Sequence, residues 1–151
     1  MENKETKSVE EALRENGVYI STTSGVSMRP LFANRRDTVI ISPVNGRLKK
    51  YDVPLYRRGD QYILHRIVKV LPDSYVICGD NCVNKEYDIT DAQIVGVLTA
   101  FYRKDRYGTP KDLKYRLYAF VWCNTFHIRV LLKRIYWFIR RKKCSSKDGR
   151  I

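Results

Sequence analysis

Residues 61–70, QYILHRIVKV, decide the fold class of this chain. The segment is rich in branched and aromatic side chains, and strand alternation places Ile63, His65 and Ile67 on one side of it. Turn sequences flank it on both sides, RGD at 58–60 and LPDS at 71–74, at the spacing that is typical of β-hairpins. The stretch therefore predicts a β-strand with antiparallel neighbours.

Five more segments have the same composition, rich in Val, Ile and Tyr, and are separated by turn residues such as Asn45-Gly46. They are residues 18–23, 38–42, 53–57, 75–78 and 93–102. The pattern predicts a mainly β protein, with a compact antiparallel β domain over residues 18–110.

Helical patterns flank this domain. Ser8 and Glu11 form a capping-box pattern and Gly17 is a natural helix end, which predicts a helix over about 9–15 within an extension of residues 1–17. Residues 111–143 are basic and aromatic, and predict one or two amphipathic helices. The predicted apolar stripe comprises Leu113, Leu117, Phe120, Val121, Asn124, Ile128, Leu131, Ile135 and Phe138. We expect residues 144–151 to be a disordered tail.

The positive charge is concentrated at the C-terminal end. The chain carries a formal net charge of +13, yet residues 1–110 hold 17 Lys and Arg against 14 Asp and Glu, whereas residues 111–151 hold 12 against 2. This distribution does not favour a nucleic-acid-binding domain, and we expect no nucleic-acid partner. A basic, aromatic helix is typical of a segment that lies in an anionic membrane surface, and packing on the β domain or on a partner is the alternative.

Neither a signal peptide nor a membrane span is expected from the sequence. The first 17 residues are polar and acidic, and the longest uncharged stretch of the apolar segment, 117–128, has 12 residues where about 20 are required. We expect a cytoplasmic protein, or one peripheral to the cytoplasmic face of a membrane.

The four cysteines are too few and too unevenly spaced for a disulfide framework, and we expect reduced thiols. Cys78 and Cys82, with His65 or His127, are a candidate zinc set. Because Cys78 ends an apolar strand, a core position is the favoured interpretation. We expect neither a metal nor another cofactor.

A candidate nucleophile lies in SGVSMRPL, residues 24–31, a polar turn with Ser27 near its centre. A serine hydroxyl needs a base to accept its proton and backbone N–H groups to stabilise the oxyanion that forms. His65 is the favoured base because an imidazole titrates near neutrality, although a histidine on an apolar face is also a common core residue. Lys69, four residues on, is the alternative base, or an exposed lysine at a strand edge.

The acid that would orient His65 is expected near the turn Gly79-Asp80-Asn81. Asp80 is the first choice, and Glu86 and Asp88 are alternatives. A purely structural role, in which Asp80 stabilises its own turn, is also open.

Four segments in this order resemble the motifs of the type I signal peptidase superfamily. Residues 24–30 resemble its serine motif, and YDVPLY at 51–56 resembles its second motif, with Tyr51 where a glycine is usual. LHRIV at 64–68 resembles the base motif, and CGDN at 78–81 the Gly-Asp-Asn motif. The histidine before Arg66 is similar to the Ser-His subclass of the endoplasmic-reticulum type, whereas most bacterial members have lysine there.

The resemblance implies a signal peptidase-like catalytic β domain in a minimal form, without an N-terminal anchor. It implies that Ser27 attacks the scissile carbonyl, that His65 acts as base and then acid, and that the Ser27 N–H helps to stabilise the oxyanion. Many members carry a second donor two residues before the nucleophile, where this chain has Gly25, so Ser24 or a backbone group is expected instead. In the histidine subclass the acid can follow the Gly-Asp-Asn motif, which points to Asp88 or Glu86.

The function implied is a serine endopeptidase that cleaves extended leader or signal-like peptides. One alternative is a self-cleaving peptidase of the repressor type, although only 23 residues precede the serine motif and leave no room for a DNA-binding domain. Another is a non-catalytic β module attached to a membrane surface or nucleic acid by its basic C-terminal segment.

Overall fold

A computed structural model describes residues 8–145, with side chains described through Arg141. The first element of the described residues is helix α1, Val9–Asn16. The Ser8 side chain accepts a hydrogen bond from the Glu11 N–H, and the Glu11 carboxylate accepts one from the Ser8 N–H. Gly17 ends the helix in a left-handed conformation. The predicted N-terminal helix is therefore confirmed with both of its caps.

Nine strands follow within residues 8–145. They are β1 Tyr19–Thr22, β2 Thr38–Ser42, β3 Pro54–Arg58, β4 Gln61–Leu64, β5 Arg66–Val70, β6 Tyr75–Cys78, β7 Glu86–Ile89, β8 Ile94–Arg103 and β9 Arg106–Gly108. All pairings are antiparallel. The molecule is thus mainly antiparallel β with helices at both ends, as expected from the sequence.

The strands form two sheets. The larger sheet has the order β1-β2-β8-β3-β4, with β9 also paired to β8, and the smaller has the order β5-β6-β7. The prediction of one continuous strand over residues 61–70 is wrong, because β4 belongs to the larger sheet and β5 to the smaller. His65 is the residue at which the chain passes from one sheet to the other.

Two apolar clusters lie beneath these sheets. The larger cluster joins α1, through Val9 and Leu13, to the strands of the larger sheet and to the residues that follow Ser27. The smaller cluster packs Tyr56 of β3 against Ile67 and Ile77 of the smaller sheet.

Two C-terminal helices follow the sheets, α2 Leu113–Asn124 and α3 Phe126–Ser145. Helix α2 packs on the β domain through Tyr115 and Ala119, which are buried. The apolar side chains of the predicted stripe lie on the opposite, exposed side of both helices. Helix α3 includes residues 144 and 145, and the rest of the predicted tail lies outside the described residues. None of the helices within residues 8–145 has both the length and the apolar composition needed to cross a membrane.

Candidate active site

The loop between β1 and β2 carries Ser27 in a half-buried position. Three residues that follow it, Met28, Leu31 and Phe32, are buried in the larger apolar cluster. The Phe32 N–H also donates to the Met28 carbonyl oxygen at 3.0 Å. The residues after Ser27 are therefore anchored in the core, and this fixes the backbone that presents the serine hydroxyl.

Gly25, two residues before Ser27, has a φ of 88°, a left-handed conformation that favours glycine. Its N–H donates to Asn34 Oδ1 at 2.8 Å. A serine would be strained here, so position 25 supplies no side-chain donor beside Ser27. Ser24 is exposed and lines the same cleft as Ser27.

The turn Gly79-Asp80-Asn81 lies against the serine loop. The Asn81 N–H donates to the Ser27 carbonyl oxygen at 2.7 Å, and Asn81 Nδ2 donates to the Val26 carbonyl oxygen at 3.2 Å. The structure thus joins two of the motifs that the sequence analysis singled out, although more than fifty residues separate them along the chain.

Gly79 lies close to both the serine loop and the ring of His65. A Cβ at this position would lie 2.8 Å from the Ser27 carbonyl oxygen and 2.9 Å from His65 Nε2, closer than non-bonded atoms normally approach. It would also lie 2.7 Å from Cys82 Sγ. The absence of a side chain at position 79 is therefore what lets the backbone of Ser27 and the ring of His65 share this space.

His65 is 6 % exposed and lies at the break between β4 and β5. Its Nδ1 is 3.0 Å from Glu86 Oε1. The hydroxyl of Tyr56 donates to the same carboxylate oxygen at 2.7 Å and lies 3.3 Å from Nδ1, and Arg58 Nη1 donates to Glu86 Oε2 at 3.0 Å. The carboxylate therefore has three neighbouring donor groups.

These contacts assign the tautomer of His65. An ionised carboxylate only accepts hydrogen bonds, and the Tyr56 hydroxyl has already given its single proton to Glu86. The partner of Glu86 on the imidazole is consequently a protonated Nδ1, and Nε2 is the basic nitrogen. Nε2 is buried and has no hydrogen-bond partner within residues 8–141. A histidine held in this way can accept a proton at Nε2 while Glu86 stabilises the imidazolium that results.

The pKa values of both groups favour this charge state. Burial lowers the pKa of His65 below its ordinary value of 6.5, although the charge of Glu86 opposes this effect. Burial alone would raise the pKa of Glu86, but the hydrogen bonds from Tyr56 and Arg58 outweigh it and lower that pKa. At neutral pH the site accordingly holds a neutral imidazole beside a carboxylate.

Asp80 does not contact His65, because its carboxylate is committed elsewhere. Its two oxygens accept hydrogen bonds from Arg66 Nε at 2.8 Å and Arg66 Nη2 at 2.9 Å, and Tyr118 Oη of helix α2 donates to Oδ2 at 2.9 Å. Asp80 and Arg66 are both buried. Among the three acids that the sequence analysis considered, the structure brings Glu86 to His65 and gives Asp80 a contact with helix α2.

The other two titratable candidates lie away from the site. Lys69 of β5 and Asp88 of β7 are exposed, and neither lines the cleft that contains Ser27. The pairing of β5 with β6 also shifts register between Ile67 and Lys69, so Lys69 does not follow the regular side-chain alternation that the sequence predicted. The structure therefore does not bring Lys69 close to Ser27.

The cysteines beside the site are free thiols. Cys78 donates to the Asn84 carbonyl oxygen at 3.3 Å, and burial raises the pKa of its thiol to about 12. Cys82 lines the cleft, and burial raises its pKa as well. Within the described part of the chain, no group of three or more His, Cys, Asp or Glu side chains is arranged to hold a metal ion.

Ser27 and His65 line a cleft of about 990 Å³. Residues of β1 and the loop that follows it, together with residues of β4, line this cleft, and these two strands are the ends of the larger sheet. Apolar side chains of Met28, Phe32 and Leu55 form part of its lining. Both end strands of the larger sheet thus line the cleft that contains the candidate nucleophile.

Helix α3 forms a further wall of this cleft through Lys133, Tyr136 and Trp137. Lys133 Nζ donates to Asn81 Oδ1 at 2.7 Å and also to the Asn81 carbonyl oxygen. Arg129 Nη1, one turn earlier, donates to the Asp80 carbonyl oxygen at 2.9 Å. The helix therefore contacts the same turn that supports Ser27.

Sequence reasoning did not identify Tyr56, Arg58 or Lys133 as site residues. The register of the β3–β4 hairpin could have identified Tyr56 as a neighbour of His65. The turn at 59–60 pairs Tyr56 with Ile63, and the alternation of the sequence places Ile63 and His65 on the same side. No local sequence pattern could have identified Lys133, because it lies 52 residues from Asn81, the residue that it contacts.

Comparisons with protein-family models, curated proteins and solved structures found no match to this chain. What the site does must therefore be inferred from its own chemistry.

Proposed function

We propose that this chain is a serine endopeptidase in which Ser27 is the nucleophile, His65 the general base and Glu86 the residue that orients His65. The observation that carries the proposal is the buried, unpartnered Nε2 of His65, which faces the Ser27 backbone across Gly79. A buried polar nitrogen without a partner is unfavourable, and such groups are retained where a reaction uses them.

The reaction begins when the Ser27 hydroxyl attacks the scissile carbonyl carbon and its proton passes to His65 Nε2. The Ser27 N–H stabilises the oxyanion, and Ser24 or a backbone N–H supplies the second donor. The tetrahedral intermediate collapses with cleavage of the C–N bond, and His65 gives its proton to the leaving amine. A water molecule, deprotonated by His65, then hydrolyses the ester and regenerates Ser27.

Ser27 and His65 are not joined by a hydrogen bond in the described structure, since Nε2 has no partner. This separation is compatible with the mechanism, because catalytic hydrogen bonds commonly shorten only in the substrate complex.

An extended peptide fits the cleft better than a compact ligand. β1 and β4 are the end strands of the larger sheet and both line the cleft, so a substrate strand can pair with the edge of either one. The apolar lining from Met28, Phe32 and Leu55 suits small apolar side chains next to the cut bond. By its resemblance to signal peptidases, the enzyme is expected to cleave leader or signal-like peptides with small residues one and three positions before that bond.

The test is cleavage of an unbiased library of extended peptides, read by mass spectrometry, with the wild-type chain and Ser27→Ala. We expect discrete products from the wild type and none from Ser27→Ala. Ser74→Ala is the control for replacing a serine, because Ser74 lies between β5 and β6 and outside the cleft, and it should retain full cleavage. Equal product formation by the wild type and Ser27→Ala would refute the proposal.

A further inference from the structure

Helices α2 and α3 turn their apolar sides toward solvent. In α2, Leu113 is 78 % exposed and Leu117 is 61 % exposed. The exposed apolar side chains of α3 are Ile128, Leu131, Leu132, Ile135, Tyr136, Trp137, Phe138 and Ile139. Exposed apolar patches of this extent are rare on monomeric proteins and usually mark an interaction surface.

The spacing of these residues defines one continuous face of α3. Steps of three and four residues connect 128, 131, 132, 135, 138 and 139, which places all six within an arc of roughly 120°. The side of the helix that meets the β domain carries Arg129 and Lys133 instead. Helix α3 therefore has the reverse of the usual arrangement, with cationic side chains turned inward and aliphatic side chains turned outward.

The positive charge of the segment that contains α2 and α3 indicates the kind of partner that covers the apolar face of α3. No Asp or Glu occurs between residues 113 and 145, whereas Lys and Arg are frequent in the same segment. Arg134 and Arg141 line a small surface depression together with Trp137 and Phe138. A second copy of this face would bring like charges together, while an anionic lipid headgroup would neutralise them and its acyl chain would cover the apolar stripe.

We propose that α2 and α3 form a docking surface for an anionic lipid bilayer and lie in the plane of its interface. Because Lys133, Tyr136 and Trp137 of the same helix line the cleft, docking holds the cleft beside the membrane surface. The docking itself does not rest on the proposed peptidase activity.

Co-sedimentation with vesicles tests this surface. We expect the full chain to bind vesicles of phosphatidylglycerol and phosphatidylcholine, to bind less as salt is added, and to bind vesicles of phosphatidylcholine alone only weakly. Ile128→Asp/Ile135→Asp should lower the partition coefficient by about tenfold or more. Ile20→Asp is the matched control, because Ile20 is 59 % exposed on β1 and Ile128 is 61 % exposed on α3.

A second variant tests the same surface in case the aspartates of Ile128→Asp/Ile135→Asp disturb folding. Arg134→Glu/Arg141→Glu leaves the apolar stripe intact and should lower binding to anionic vesicles to a similar degree, with thermal unfolding by circular dichroism as the folding check. Wild-type binding by both folded variants would overturn the proposal. Concentration-dependent dimers in analytical ultracentrifugation that Ile128→Asp/Ile135→Asp abolishes would also overturn it, in favour of self-association.

Discussion

Glu86 Oε1 lies 3.0 Å from His65 Nδ1, although Glu86 is in a strand of the smaller sheet and His65 lies at the break between the two sheets. Glu86 begins β7 of the smaller sheet, and His65 lies where the chain leaves β4 of the larger one. The contact therefore exists only because the two sheets meet at His65.

Glu86→Gln is expected to lower kcat by roughly 10²- to 10⁴-fold. The amide can no longer stabilise the imidazolium by charge, and it can present its NH₂ group to Nδ1 and select the wrong tautomer. Lys69→Ala is the control, because Lys69 is exposed and outside the cleft. Steady-state kinetics on a peptide from the library screen measures both variants. A loss at Lys69→Ala with none at Glu86→Gln would contradict the assignment of base and acid.

When kcat/KM is plotted against pH, the midpoint of its fall on the acid side should lie below pH 6.5. His65 accepts a proton only when it is neutral, and burial lowers its pKa, so the active form persists to lower pH than for an exposed histidine. Glu86 opposes this shift, and Glu86→Gln should move the midpoint to still lower pH. A pH profile of the two proteins checks both statements, and a midpoint at or above 6.5 would be inconsistent with a buried histidine base.

Asp80→Ala should reduce the free energy of unfolding by about 3–5 kcal/mol, because it leaves Arg66 buried without its carboxylate partner. The same change removes the contact that Tyr118 makes from helix α2. Urea denaturation measures the effect, and Asp105→Ala, at an exposed turn, should cost less than about 1 kcal/mol. Equal stability of the two variants would show that the Arg66 pair contributes little.

Gly79→Ala should lower kcat/KM by about tenfold to a hundredfold, because its Cβ would push the Ser27 backbone and His65 apart. Gly59→Ala is a control for backbone strain, since Gly59 has a φ of 60° and open space around it. It should lower stability by about 1 kcal/mol without affecting turnover. Peptide kinetics and thermal unfolding on both variants separate the two effects, and full activity in Gly79→Ala would contradict the close approach.

Local patterns predicted much of the fold. The α1 helix could be delimited because its caps, Ser8 and Gly17, act on the nearest few backbone groups. Strand β7 was not predicted, because its sequence EYDI lacks the alternation of apolar residues that marks a half-buried strand. The break at His65 was not predicted either. The side-chain alternation continues through residue 65, although β4 and β5 on its two sides pair with strands of different sheets.

Residues 24–31, 64–68 and 78–81 could be singled out from the sequence as candidate site segments because each carries its chemistry in a few adjacent residues. The acid could not be chosen in this way. Asp80, Glu86 and Asp88 are chemically similar and close in sequence, so only the direction of each side chain separates them. That direction depends on the buried Arg66 that binds Asp80 and on the strand pairing that presents Glu86.

The amino-acid sequence by itself determined the class of the fold and the end helices, because these depend on side-chain periodicity and short-range capping. Ser27 and His65 were candidates from the sequence, because of the chemistry of their short motifs and the resemblance of those motifs to the signal peptidase superfamily. The tertiary structure alone decided that Glu86 contacts His65, that Gly79 leaves room between His65 and Ser27, and that α3 turns its apolar face outward. Each of these depends on contacts between residues distant in the chain, whose geometry is determined by how the two sheets and the helices pack.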